Sequence, residues 1–174
     1  MKKIISVFPL LIFVPVSCQD SKTETVLRDL QVKMETEKNN IVLVEKLLAE
    51  GDNKNPSYLH EVADLNYKYY LPSNNSPLSL EEHKQFWESV NLSFPDLSHS
   101  VQDIFAVDDK VVVRSIVRGT HLAEFTGIPA TGISVEISQI LICRFKNGKL
   151  IEIREEVNML GLYQQLGMEL QPKQ

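Results

Sequence analysis

The residues best suited to move a proton lie in the C-terminal half of the chain. Alternate residues of a strand face opposite sides of a sheet. In the segment 149–158 this puts Ile151, Ile153, Glu155 and Val157 together on the apolar side, with Glu152, Arg154 and Glu156 opposite. A carboxyl group among apolar neighbours has its charged form disfavoured by lost hydration, which raises its pKa. That is the condition for a general acid or base near neutral pH. The competing reading is a twist or bulge at the strand end that returns Glu155 to water or to an arginine. Parity treats Gln139 alike: it is the polar member of an inward row of Val135, Ile137, Leu141, Cys143 and Phe145. It suits either the orientation of a ligand carbonyl or a satisfied core amide. His121, on a face with Val111, Val113, Ser115 and Val117, could donate a proton or polarise a carbonyl; a surface histidine is the plainer reading. Arg114 and Arg118, opposite it, are expected to pair with strand carboxylates.

These groups need a sheet to carry them. Period-two patterning predicts strands near 97–107, 110–122, 133–146 and 149–158, with Ile140 and Ile142 suggesting a third strand buried on both sides. Asp108-Asp109 and Asn147-Gly148 are turns, the second a strong hairpin signal. Helices come first. One runs from about Glu35 to Glu50, with Met34, Ile41, Val44, Leu47 and Leu48 on one face and Gly51 as its stop. A shorter one covers Ser57 to Leu65, followed by a brief extended piece at Tyr67–Tyr70 and a loop at 72–77. A third opens with a capping box, Ser79 to Glu82, and aligns His83, Phe86, Trp87 and Val90. A short helix near Leu160–Leu166 closes the chain. Helices followed by an antiparallel meander make an α+β domain, and a curved sheet with helices across one face encloses a pocket.

The chain has 174 residues, 43% hydrophobic and 24% charged, with a net charge of −5, which fits one globular domain. An acidic surface without a basic stripe argues against a nucleic-acid partner. There is no HExxH, CxxC or paired-histidine motif, and His60 and His83 stand without ligand spacing, so no metal is expected. A glycine-rich phosphate loop and a GxSxG elbow are also missing, which argues against nucleotide and hydrolase chemistry. At the N-terminus, Lys2 and Lys3 precede an apolar run from Ile4 to Val16. That run is short of the roughly 20 residues needed to span a bilayer and reads as a secretory signal over residues 1–17. Cys18 follows where a bacterial lipoprotein carries its acylated cysteine. Pro15-Val16-Ser17-Cys18 resembles a lipobox with Pro15 in place of the usual Leu. Acylation would tether an exported protein to the cell envelope, with ordinary cleavage nearby as the alternative. Residues 18–33 read as a polar tether, 34–168 as the domain and 169–174 as a tail.

The run from Val117 to Gly132 (VRGTHLAEFTGIPATG) resembles the "RGTHTGEFLGIPPTG" signature of the SnoaL-like polyketide cyclase or ester cyclase family. Arg144–Glu152 is similar to its "FR..dGkIvE" hairpin, Leu160–Gly167 to its "LGLLQQLG" tail, and Phe94–Leu97 to its "FPDL". The resemblance covers about 35–167. It implies the nuclear transport factor 2-like cone and ring closure by intramolecular aldol condensation, without cofactor or metal. By position it puts the acid/base in the Glu155–Asn158 segment. Where relatives often show W-D/E-x-x-D, this chain has Arg154-Glu155 and then Asn158, and Tyr70 stands where relatives often carry a histidine. Glu155 and His121 are therefore the expected catalytic groups. Gln139, Tyr70, Trp87 and Asn158 are the expected substrate contacts, although Trp87, Phe86 and Tyr70 also suit a plain core.

Two functions fit. One is a cofactor-independent cyclase or isomerase acting on a small enolisable, polyketide-like carbonyl compound. The other is an envelope-anchored protein that binds a small apolar or aromatic ligand without chemistry. Oligomeric state is not legible, although open sheets of this kind often pair across an exposed face into a homodimer.

Overall fold

The computed structural model describes residues 20–72, 76–169 and 171. The signal and Cys18 lie outside these residues. Two compact units divide between Met34 and Glu35. In the first, the described residues are helical from Asp20 onward and form the start of α1 (Asp20–Asp52). The polar segment expected as a tether is thus helix: from Asp20 to Met34 it has no proline or glycine to stop one.

The second unit holds the rest. The C-terminal part of α1 buries Val44, Leu47 and Leu48, as its periodicity requires. Gly51 does not end this helix by left-handed geometry; Lys54, with φ 59°, takes that conformation. A β-carbon at Gly51 would overlap the Trp87 indole, so the glycine lets the indole lie against the helix. Next come α2 (Tyr58–Val62), β1 (Ala63–Tyr70), α3 (Leu80–Ser93), β2 (Ser98–Val107), β3 (Lys110–Thr120), β4 (Ser134–Lys146), β5 (Lys149–Val157) and α4 (Met159–Gln165). The α3 capping box is complete: Glu82 N–H donates to Ser79 Oγ, and Ser79 N–H donates to Glu82 Oε2 at 2.7 Å.

The sheet order is β1-β5-β4-β3-β2. Strands β2 to β5 form the expected antiparallel meander, closed by a turn with positive φ at Asn147 (52°) and Gly148 (73°). The start of the sheet departs from expectation. The brief extended piece is a full strand, and it pairs with β5 in parallel, with Tyr69 opposite Ile153. It precedes the whole meander and reaches the far edge through a crossover, which imposes that direction. The third meander strand, β4, is buried on one side only: Ile140 is 41% exposed.

One apolar cluster joins α1, α2 and the sheet through Val44, Leu59, Tyr67, Val113 and Leu150. A second gathers Phe94, Val117, Ile137, Leu162 and Leu166 near α4. The outer sheet face carries ion pairs, Arg114–Asp103 at 2.6 Å and Arg118–Glu136 at 2.7 Å. The strand arginines therefore take the structural role expected of them.

Candidate active site

Between the helices and the inner sheet face lies a cavity of about 470 Å³ whose wall is mostly apolar. Leu141, Ile153 and Val157 come from the sheet, Phe86, Trp87 and Val90 from α3. Glu155 opens into it. In the β4–β5 ladder Glu155 stands opposite Leu141, and Gln139 opposite Val157, so both point inward. Parity holds for Ile153, Glu155 and Val157 but fails one step earlier. Arg144 pairs with Glu152 while Phe145 pairs with Leu150, and this slip leaves Leu150 buried in place of Ile151.

The polar line across this wall is continuous. Ser115 Oγ donates to Gln139 Oε1 at 2.9 Å, and Gln139 Nε2 donates to Glu155 Oε1 at 2.6 Å. All these side chains are buried. Burial, with the charge of Glu156 behind it, pushes the Glu155 carboxyl up to about 7. With Oε1 held by Gln139, Oε2 is the oxygen left for a ligand. At neutral pH the group is present in both protonation states, so it can take a proton and return it.

A second polar cluster faces the cavity from α3 and β1. Tyr67 Oη lies 2.9 Å from His83 Nδ1. The His83 ring stacks on Tyr69 at 3.6 Å between centroids and lies parallel to Trp87 at 5.9 Å. Burial lowers His83 to about 3 and raises Tyr67 well above its ordinary 10, the neighbouring Cys143 and Glu155 adding to the latter. Both are neutral at physiological pH. Cys143 is itself pushed up to about 12 by burial, which makes it an inert thiol.

On another wall, His99 is held by the last residue of α1. Asp52 accepts from the His99 backbone N–H at 3.0 Å and pairs with its Nδ1 at 2.6 Å. Asp52 thereby fixes the ring that lines the cavity.

Of the expected site residues, Glu155, Gln139 and Trp87 meet in the cavity. His121 is fully buried but does not line it. The ring packs on Phe94 at 5.2 Å, Nδ1 contacts Thr131 Oγ1 at 3.1 Å, and the His121 backbone bonds Gly132 and Ile133. It pins the loop after β3 and is not positioned as a proton donor to a cavity ligand. Tyr70 sits on the outer sheet face, where the Arg154 guanidinium lies 3.9 Å from its ring centroid. Odd and even neighbours alternate: Tyr69 and not Tyr70 points in. Asn158 caps α4, its Oδ1 accepting from Gly161 N–H at 2.9 Å. Such a cap contributes about 1 kcal/mol to stability, and it occupies the side chain expected to meet substrate.

Sequence reasoning missed Tyr67, His83, Ser115, Asp52 and His99 as members of the site. His83 carried a readable signal, since it shares its helical face with Phe86, Trp87 and Val90. The inward placement of His99 is obscured by a register slip between Val101 and Asp103.

The SnoaL-like polyketide cyclase family model matches residues 42–166. Among solved structures, a proposed SnoaL-like polyketide cyclase from Jannaschia sp. CCS1 superposes with a TM-score of 0.72 at 22% identity, covering 77% of this chain and 95% of that one. AclR of Streptomyces galilaeus, a proposed hydroxylase, gives 0.67 at 28% identity, covering 72% and 93%. IdmH of Streptomyces antibioticus, a proposed polyketide cyclase, gives 0.65 at 26% identity, covering 72% and 96%. These likenesses bear out the α+β cone. No curated protein matches the chain.

Proposed function

Since this chain belongs to the SnoaL-like polyketide cyclase family, we propose that it is a cofactor-independent acid/base catalyst acting on a small enolisable carbonyl compound. One observation carries the reading: a buried carboxyl with one oxygen fixed by Gln139 and the other left for a ligand, in a cavity whose wall is mostly apolar. Glu155 in its anionic form takes a proton from the carbon beside the carbonyl. The bonding pair moves into an enolate. In a substrate with a second carbonyl in reach, the enolate carbon attacks that carbonyl carbon, and a carbon–carbon bond closes the ring. The carbonyl electrons become an alkoxide, and Glu155 returns its proton there. Atoms and charge balance with no redox step. A mostly apolar cavity excludes water and favours ring-bearing substrates.

The first half of this sequence is testable without the true substrate. β-Tetralone, an aromatic ketone with exchangeable protons beside its carbonyl, is incubated with the protein in D2O and followed by NMR. Exchange well above the buffer rate is the expected result. A protein that binds β-tetralone but leaves exchange at the buffer rate would instead be a binding module.

We also propose export and acylation at Cys18. The support is Lys2 and Lys3, the apolar run Ile4–Val16 and the lipobox-like Pro15–Cys18. Among the described residues no helix is long and apolar enough to cross a membrane, so a lipid would be the anchor they leave open. In a bacterial host fed an alkynyl fatty acid, the full chain should carry label, and Cys18→Ser should abolish it. Label that persists in Cys18→Ser would sink the assignment.

A further inference from the structure

The base at Glu155 leaves half of the chemistry unanswered, because the enolate oxygen formed by proton removal needs a donor. Gln139 Nε2 spends one of its two N–H groups on Glu155, and Ser115 Oγ spends its proton on Gln139. The second polar cluster supplies a donor that is not tied to the base. His83 presents an edge to the cavity. Its Nδ1 is taken by Tyr67. Its Nε2 has no partner among the described residues, yet it is not one of the buried unpartnered atoms, which are Asn91 Oδ1, His121 Nε2 and Arg144 Nε. Nε2 therefore keeps some accessible surface, and the cavity is the space that His83 lines.

Proton placement follows from counting donors. Among the described residues His83 is the hydrogen-bond partner of the buried Tyr67 hydroxyl. If Nδ1 carried the ring proton and donated to Tyr67, the hydroxyl proton would be buried without an acceptor, which is costly. With the hydroxyl donating to Nδ1, the bond is satisfied and the ring proton sits on Nε2, aimed at the cavity. Burial keeps this arrangement neutral. From β1 come the aromatic Tyr67 and Tyr69, and from α3 Trp87; the thiol of Cys143 on β4 and the carboxyl of Glu155 on β5 act on Tyr67. No lysine or arginine is among them.

Placement relative to the base is also suitable. The His83 ring lies on Tyr69, and Tyr69 stands opposite Ile153 in the sheet. Glu155 is the next inward residue after Ile153, about 7 Å along the strand. The two groups thus face one stretch of cavity from neighbouring positions.

We infer that His83, oriented by Tyr67, is a catalytic residue whose neutral imidazole donates from Nε2 to the enolate oxygen. This rests on the proton-abstraction reading of Glu155. Tyr67 is a positioning residue. A neutral donor suits the site, because an imidazolium there would be drawn to Glu155 and lower its basicity.

The test uses full-length protein labelled with nitrogen-15 histidine, plus β-naphthol, an aromatic mimic of the enol of β-tetralone. NMR should find His83 protonated on Nε2, with Nδ1 as acceptor, and not titrating from pH 5 to pH 8. In Tyr67→Phe the Nδ1–H form should gain population. His83→Phe keeps an aromatic ring on Tyr69; at pH 6 it should bind β-naphthol about tenfold more weakly than the natural chain, with naphthalene affinity unchanged. An Nδ1–H tautomer in the natural protein, or β-naphthol affinity untouched by His83→Phe, overturns the proposal. If His83→Phe fails to fold, the tautomer in the natural chain decides. None of these readouts needs turnover. A lost β-naphthol effect sinks the donor role even where Glu155 exchanges protons, and a retained one supports it even where Glu155→Gln leaves exchange intact.

Discussion

Glu155→Gln is expected to lower β-tetralone exchange by about 10²–10⁴-fold, the usual contribution of a positioned acid or base, or about 3–5 kcal/mol of barrier. The substitution is nearly isosteric. The new amide oxygen can still accept from Gln139 Nε2, so the line from Ser115 through Gln139 survives. KM for β-tetralone should change little, because the apolar wall does the binding. A fall in kcat with KM held is the signature of a group that acts on the transition state. In the natural chain, kcat/KM should rise with pH toward a plateau, with a midpoint near 7, since the anionic form of Glu155 does the work. Exchange that persists in Glu155→Gln would remove the carboxyl from the mechanism and turn attention to His99, the imidazole that Asp52 fixes on another wall.

The inward position of Glu155 was legible because a strand has only two faces, and a carboxyl that shares one with Ile153 and Val157 has nowhere else to point. The same rule exposed Gln139. Residue type and parity together found the base and its orienting amide. They could not find Asp52 against His99, because that pair joins residues far apart in sequence and depends on where α1 ends against β2. Tyr70 and Asn158 were misplaced for a related reason. A family position does not say which way an aromatic faces in a strand, nor that an asparagine just before a helix is needed as its cap. Parity puts His121 on a face with Val111, Val113, Ser115 and Val117, and only packing on Phe94 shows it serving a loop. The helices and meander followed from periodicity. The parallel docking of β1 did not, because a strand's partner across a crossover leaves no local mark. Local pattern therefore marks most of the side chains that face the interior, except where a register slip reverses them, whereas long-range packing decides which of them meet.

The stability of the protein should follow pH in a way that identifies Glu155 and His83 by their opposite signs. Glu155 is raised from its ordinary 4.5 to about 7. Between those values the folded chain keeps a proton that the unfolded chain has released. Its contribution is fully present below 4.5 and lost as pH rises to about 7, amounting to about 3 kcal/mol at roughly 1.4 kcal/mol per pH unit. His83 is lowered from its ordinary 6.5 to about 3. Here the unfolded chain gains a proton that the folded one refuses. This contribution is present above 6.5 and lost as pH falls toward 3, amounting to about 5 kcal/mol. Between 4.5 and 6.5 the two slopes cancel, so these groups give the natural protein a plateau flanked by losses on both sides. Glu155→Gln removes one slope. Relative to the natural chain it should be about 3 kcal/mol more stable at pH 8 and nearly equal at pH 4. His83→Phe should give the complementary pattern, its advantage growing as pH falls below 6.5. Urea midpoints of the three proteins at pH 4, 5.5 and 8 measure this, and the surface carboxylates they share drop out of the differences. A Glu155→Gln difference that is the same at every pH would mean that the carboxyl is hydrated in the folded protein. It would then lack the raised pKa that its catalytic assignment requires.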